Sequence, residues 1–561
     1  MGLRGALREK IAKARSLGRV EYPNIDIKEP KRLIIFPAFK KATEIDLKYP
    51  LLEPFVYAHI RWDQQKRGLF YEVMEPSLSK NEREIFETVK KDLLEIIDVE
   101  LSAVKEEGKV LQYLEGKLRR IMEEENMAIP KETYVKIMYY IYRDFVGFNE
   151  IEGLLHDPYI EDVGCPGLNI PVFVVHRKFG SIETNIIFND GGYLNNFVIK
   201  LAERSGRYIS YAKPLLDGSL PDGSRVQATL AKDVTTKGPT FSIRKFRVEP
   251  FSPIDIINFN TASSELMAYL WLMVEARTST LICGGVSTGK TTFLNVMSMF
   301  IAPEEKIVSI EDTRELNLQH ENWIPSVSRV GFGVPEIGGK RYGEVTLFEL
   351  LKESFRQNPD YVIVGEVRGK EAYVMFQGMA SGHSSMGTIH AGSLEDVIKR
   401  LEMPPIELSP TLIETLDLIV VMIHAKERGK SARRVKEIDE IESIDPKTGT
   451  PHTIKVFSWG PSTDTYSANL EESYLLKKMA FEKGLTYDDM TKELKKRVRI
   501  LEWMRKFGMT NFDDVAKLIN LYYKEPSIVM EWVEKNIPPY KTKTKEATKV
   551  LESYSGLRVI E

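Results

Sequence analysis

Cysteine is nearly absent: the 561 residues hold only Cys165 and Cys283. Two thiols so far apart exclude a disulfide framework and a thiolate metal site, and they fit a reducing compartment. Cys283 ends the apolar run Leu281-Ile282-Cys283 and reads as a small buried hydrophobe rather than a reactive thiol. Long apolar runs are missing too. None approaches the ~20 residues that cross a bilayer, and the start lacks the apolar core and small-residue cleavage site of a secretory signal. The chain is therefore expected inside the cell. Nor does charge of one sign prevail, since 78 Lys and Arg stand against 81 Asp and Glu. Global charge thus gives no sign of a nucleic-acid partner, although a local basic face stays open. What is present is the balance of a folded protein, 43% hydrophobic and 28% charged. The length exceeds what one ordinary core can serve and predicts several domains.

Residues 1–20 carry six basic side chains against Glu9, with Leu3, Leu7, Ile11, Ala14 and Leu17 at helical spacing. They predict a basic amphipathic helix that either lies on an anionic membrane or a partner, or is a solvated terminus. A small mixed unit is expected up to residue 78, with a strand at Leu33-Ile34-Ile35-Phe36, and a helical segment over 79–148. An α+β domain is expected over 149–247. Pro250 and Pro253 place an extended linker at 248–258. Helix-like and strand-like segments then alternate through an α/β domain, 259–468, with a mainly parallel sheet. Lys/Glu-rich helices over 469–561 end in a Thr/Lys segment.

The chemistry starts at Gly284-Gly285-Val286-Ser287-Thr288-Gly289-Lys290-Thr291, which fits G-x-x-x-x-G-K-[ST] between a strand-like and a helix-like run. Glycines let the backbone curl so that successive N–H groups point inward, and the following helix adds its positive end. Lys290 is expected to bridge the β- and γ-phosphates, the Thr291 hydroxyl to ligate Mg²⁺, and Thr292 to complete the nucleotide-binding set.

Hydrolysis needs carboxylates as well. The apolar run Lys306 to Ile310 ends in Glu311-Asp312, and Tyr361 to Val364 ends in Gly365-Glu366. At the carboxyl ends of parallel strands such acids converge on the ligand crevice. Glu366 is the better candidate to orient water, and Glu311 and Glu366 are candidates to reach the metal through water. For these acids, and for Glu315, the alternative is a loop carboxylate capping a helix or pairing with Arg. Gly365 departs from the usual pattern, in which an Asp commonly sits there. His383 and His390 lie seven apart in a small-residue loop. By residue type they are structural groups, or hydrogen-bonding or sensing ones.

Together these elements resemble the type II/type IV secretion-system ATPase superfamily, with an Asp box at Ile310 to Leu316, an atypical Walker B at Val362 to Gly369 and a His box at Gly382 to Ala391. Asp157 to Asp162 and Leu220 to Arg225 resemble its domain ahead of the motor core. His320 to Pro325 and Arg356 to Asp360 look most like the archaeal branch, which includes the archaellum motor and archaeal type IV pilus-assembly enzymes. The resemblance covers about residues 150 to 430.

It implies a RecA-like P-loop motor domain with an α+β N-terminal domain and a helical extension, a homohexameric ring, and ATP with Mg²⁺. It also implies a polytopic membrane platform protein as partner, a pilin-like or archaellin filament moved indirectly, room for accessory cytoplasmic proteins, and a place on the inner face of the cell membrane. Glu366, Glu311, Arg225, Arg244 and His390 become the expected catalytic set. Gly284, Gly285, Ser287, Thr288, Gly289, Lys290, Thr291, Thr292, Arg207 and His383 become the expected nucleotide contacts. Arg225 and Arg244 resemble N-domain arginines that reach phosphates, a task suited to a guanidinium, while Arg329 and Arg368 either complete a neighbour's site or hold an interface. The competing readings are a nucleic-acid translocase of the conjugation type, which lacks a basic-aromatic stripe, and a nucleotide-gated scaffold with little turnover.

Overall fold

A computed structural model describes residues 41–539 apart from 97–106, 126, 128, 231, 247–249, 330, 332–340, 428–429 and 446–448, together with positions 23, 27, 28, 36, 37 and 39. The basic helix expected over the first twenty residues, the strand expected at Leu33 to Ile35 and the terminal Thr/Lys segment lie outside the described residues. The chain divides into two compact units, Met1–Phe246 and Arg247–Glu561. Among the described residues no helix is long and apolar enough to cross a membrane.

The first unit opens with the antiparallel strands β1 (Asp46–Leu52), β2 (Val56–Asp63) and β3 (Gly68–Met74). Helices α1 (Lys80–Ile96), α2 (Glu107–Glu124) and α3 (Lys131–Ile141) follow. Phe86, Val89 and Leu93 of α1 meet Leu114, Leu118 and Ile121 of α2 in a core of their own, as the three- and four-residue spacing predicts. After α4 (Glu152–Leu155) come β4 (Ile160–Cys165), β5 (Pro171–His176), β6 (Gly180–Ile187), α5 (Gly191–Arg204), β7 (Leu215–Ser219), β8 (Arg225–Thr229) and β9 (Thr240–Arg244).

All nine strands form one sheet, ordered β1-β2-β3-β6-β5-β4-β9-β8-β7. The mixed unit expected up to residue 78 and the α+β domain expected from 149 therefore share a sheet. The join is a short parallel pairing, Phe70 opposite Glu183 and Tyr71 opposite Thr184, reinforced by the Tyr49 and Tyr71 hydroxyls, which each donate to Asp157 at 2.6 Å. Period-two patterning predicts the strands but cannot say which edge a distant strand will meet. Along β8, Val226 and Ala228 face the core and Arg225 and Gln227 face outward.

In the second unit the chain departs from the extended linker expected through 258. Pro253 starts a helix, α6 (Pro253–Asn258), where its missing N–H is not needed, and Ser252 and Asp255 close a capping box. Then follow α7 (Ser264–Glu275), β10 (Thr280–Gly284), α8 (Lys290–Ser298), β11 (Ile307–Glu311), β12 (Trp323–Val327), α9 (Leu347–Ser354), β13 (Tyr361–Val367), α10 (Glu371–Ala380), β14 (Ser384–Ile389), α11 (Leu394–Glu402), α12 (Pro410–Ile413) and β15 (Leu418–Glu427). The sheet runs β12-β11-β13-β14-β10-β15, each neighbour parallel to the next, with one apolar core on each face. This is the expected α/β architecture of a P-loop motor domain.

The antiparallel strands β16 (Lys430–Ile444), β17 (Pro451–Gly460) and β18 (Thr465–Ala468) extend the sheet beyond β15; the sequence reading gave no account of them. The final helices, α13 (Tyr474–Glu482), α14 (Tyr487–Lys506), α15 (Phe512–Lys524) and α16 (Pro526–Glu534), share a core with α7. Trp271 there stacks on Phe300 at 5.3 Å and meets Tyr522 edge-on at 5.4 Å. Buried Glu440 accepts from the Tyr269 and Ser473 hydroxyls and from the Tyr474 and Leu475 N–H groups. It thereby caps α13, tying the segment after 469 to this second sheet.

Candidate nucleotide site

Register brings the site together. Strand β14 lies between the strand that feeds the phosphate loop and the strand that carries Glu366, so crossover connections leave a crevice at the carboxyl ends of β10, β14 and β13. Gly284 ends β10 and Gly289 precedes α8 with φ +90°, a left-handed conformation that favours glycine. A Cβ on Gly284 would lie 2.5 Å from the Met422 carbonyl oxygen of β15. Ser287 also takes a left-handed φ of +59°, and the Thr288 hydroxyl donates to the Gly285 carbonyl at 3.0 Å.

Lys290 opens α8 with its ammonium inside the curl, donating to the carbonyls of Gly284 at 3.1 Å and Gly285 at 2.8 Å. It also meets His390 Nδ1 at 3.2 Å. Burial holds the Lys290 ammonium below the usual lysine range, against the pull of Glu366. His390 follows β14, whose Ile389 is paired with Cys283 of β10, and register alone sets the imidazole beside the loop. Burial and then Lys290 lower its pKa. With Lys290 donating to Nδ1, the ring proton of neutral His390 sits on Nε2, which faces Glu366 Oε1 at 3.6 Å.

Glu366 owes its placement to a bulge: the β13–β14 register shifts between Val364 and Val367, and such an irregularity re-aims side chains. Its carboxylate is partly exposed to the crevice. Glu311, on the far side of β13, is 2% exposed. One oxygen accepts from the N–H groups of Glu315 at 2.9 Å and Leu316 at 3.0 Å; the other, Oε2, is buried without a hydrogen-bond partner. Burial pushes the Glu311 carboxyl up to about 7.

Gly365 now has a physical reason. A Cβ there would stand 3.1 Å from Glu311 Cγ, so the Glu311 side chain of the neighbouring strand crowds the space an Asp at 365 would need.

The remaining candidates are spread more widely. Asp312 is held by Arg368 and by the Ser328 hydroxyl at 2.9 Å, which puts Arg368 at the same end of the sheet. A cleft of about 470 Å³ runs from His390 and Arg368 past Lys399 and Arg400 to Pro405. Thr291 is half-buried on the first turn of α8, and Thr292 is exposed. His383 is a correction. It precedes β14 whereas His390 follows it, and six strand residues at about 3.3 Å each separate them by roughly 20 Å. His383 therefore sits at the opposite end of the sheet, edge-on to Phe355 at 5.1 Å, and not with this chain's phosphate loop.

Arg225 and Arg244 belong to the first unit, directly opposite one another on β8 and β9. They pair with Asp217 at 2.9 Å and Asp162 at 3.1 Å. Arg207 follows α5, where its N–H donates to the Ala202 carbonyl at 2.8 Å. Arg329 pairs across an isolated bridge with Val345, its guanidinium donating to the Gly343 carbonyl at 2.7 Å.

Among the described residues no group of three or more His, Cys, Asp or Glu could hold a metal ion by itself. The donor set fits Mg²⁺ brought with a nucleotide, an ion that keeps several of its waters: the Thr291 hydroxyl and the unpartnered Glu311 oxygen are the hard oxygen groups it takes. Sequence reasoning missed Arg433 of β16, whose guanidinium Nε donates to the Ser287 carbonyl at 3.1 Å. Only the doublet Arg433-Arg434 in an otherwise alternating strand hinted at it.

The family model for type II/IV secretion system proteins matches residues 174–452. Among relatives, the Methanocaldococcus jannaschii protein MJ0900 is 34% identical over 94% of this chain and 92% of its own length. MJ1287 of the same organism is 43% identical over 49% of this chain and 98% of its own. The type IV secretion system protein PtlH of Bordetella pertussis is 31% identical over 44% of this chain and 80% of its own. The Methanocaldococcus relatives agree with the archaeal wording of the boxes. On the strength of that family match and of relatives aligned over most of their own lengths, this chain belongs to the type II/IV secretion-system ATPase superfamily.

Proposed function

We propose that this chain hydrolyses ATP and that its turnover drives assembly, secretion or rotation of a pilus-like or archaellum filament. The observation that carries the reading is the convergence of Lys290, His390 and Glu366 beside one phosphate loop, with Glu311 on the neighbouring strand against Gly365. Lys290 exchanges the two loop carbonyls for phosphoryl oxygens. Glu366, the acid open to the crevice, orients the attacking water and takes its proton. His390, neutral at physiological pH, accepts from Lys290 at 3.2 Å and faces Glu366 across 3.6 Å. Glu311 and Thr291 would hold Mg²⁺, in the case of Glu311 through water; when bound, the ion neutralises charge on the phosphates.

A role for Arg225 and Arg244 towards phosphoryl oxygens rests on the family resemblance; their exposed pairs with Asp217 and Asp162 are worth roughly 0–1 kcal/mol each. The working form is a homohexamer on the inner face of the membrane, pushing on a polytopic platform protein. The naming of PtlH as a secretion-system protein supports the assignment to such a machine. The gene product is tested in its source cell: deletion should remove surface filaments, the wild-type gene should restore them, and Glu366→Gln should not. Filaments that persist without the gene, or return fully with the variant, would refute the motor reading.

A further inference from the structure

The hairpin of β15 and β16 flanks the phosphate loop. Met422 of β15 stands opposite Gly284, and one residue pair further along the hairpin from Ile423, His424 stands opposite Arg433. From there the exposed Arg433 side chain crosses the loop. Its Cδ would be 3.3 Å from a Cβ at Gly289, and its Nε donates to the Ser287 carbonyl. The next residue fixes the base of this arm. Arg434 is 1% exposed, clamped by Asp464 at 2.8 and 2.9 Å and donating to the Phe259 carbonyl at 3.1 Å. Arg433 therefore projects from a strand that cannot slide. Among the described residues no carboxylate pairs with it.

We propose that Arg433 is a positioning residue for the nucleotide, one that sets the orientation of the Ser287–Thr288 peptide and supplies a positive charge in cis at the mouth of the loop. The peptide is planar and trans, so its C=O and N–H point in opposite directions. Holding the Ser287 carbonyl towards Arg433 turns the Thr288 N–H away from it, the sense in which a phosphate loop presents its donors. Ser287 occupies a left-handed conformation that a non-glycine residue adopts at some cost, and the guanidinium supplies an interaction that offsets it. The ligand class is a nucleoside di- or triphosphate. The inference rests on the proposed ATP hydrolysis for its setting but not for its readout.

The test is binding of magnesium ATP to full-length protein by titration calorimetry, with steady-state turnover and melting measured alongside, for wild type, Arg433→Ala, Arg433→Gln and Arg433→Lys. Arg433→Ala should weaken ATP binding and raise KM about tenfold, leave kcat within about twofold and lower melting only slightly. Lys should recover most of the affinity and Gln, which keeps a donor without charge, about half. A folded Arg433→Ala chain that binds ATP as wild type does overturns the proposal. If that variant does not fold, Arg433→Gln decides, and wild-type affinity there overturns it as well. Wild-type protein that binds ATP without cleaving it refutes the hydrolysis reading while leaving this inference to the variants; wild-type protein that does not bind ATP refutes both.

Discussion

Replacing Gly365 by Ala tests whether the Glu311 side chain fills the space beside position 365. The added Cβ would lie 3.1 Å from Glu311 Cγ and 3.5 Å from its Cβ. Glu311 has little room to withdraw. Its strand is hydrogen-bonded to β13 up to the Ile310–Val364 pair, and its carboxylate is pinned by two N–H groups. Relief requires a shift of a few tenths of an ångström at a buried acid, an overpacking strain of roughly 1–3 kcal/mol. Gly365 does not take a positive φ, so Ala fits the backbone and recovers about 0.4–1 kcal/mol through the unfolded chain. The net loss is therefore about 0.5–2 kcal/mol in urea unfolding, accompanied by reduced phosphate release. Glu311→Ala removes the clashing atoms. In the double variant the cost of Gly365→Ala should vanish, giving a coupling of about 1 kcal/mol or more. Additive losses, or a Gly365→Ala chain with wild-type stability and turnover, would refute the packing argument.

Two further variants separate structure from chemistry. The Glu311 carboxyl is raised to about 7 by burial against an unfolded value of about 4.3, so its favourable contribution is complete below about pH 4.3 and lost as pH rises through about 7. Glu311→Gln should match wild-type stability near pH 5 and match or exceed it at pH 8, while turnover falls; unfolding midpoints across that range check it. Arg434→Met should cost about 3 kcal/mol, since it breaks a pair whose arginine is fully buried. Arg434 holds Asp464 below the usual carboxylate range. The pair's contribution is therefore present above about pH 4 and fades as pH falls through that lowered value, so the gap to wild type should narrow in acid.

The parts of the site legible in the sequence are those set by neighbours in the chain. The curl from Gly284 to Thr291 and the acids ending β11 and β13 are local patterns, and so are the periods that mark most helices and strands. What was not legible depends on register between distant strands. Whether Gly365 is a defect or a requirement turns on Glu311, 54 positions earlier. His383 and His390 look equivalent in a small-residue loop until the strand between them puts them at opposite ends of the sheet. Arg433 reaches the loop only because the hairpin after β15 folds back along it, and Pro253 reads as a breaker until Ser252 caps the helix it starts.

The central claim, that a nucleotide gripped ahead of Lys290 is cleaved with help from Glu366, is tested most directly by phosphate release from magnesium ATP. Wild-type protein and Glu366→Gln are compared at matched nucleotide occupancy. Wild type should release phosphate over repeated cycles, and the variant should hold ATP with a rate lower by roughly 10²- to 10⁴-fold, the usual contribution of a positioned general base. Equal rates in the two proteins, or no release from wild type, would contradict the account.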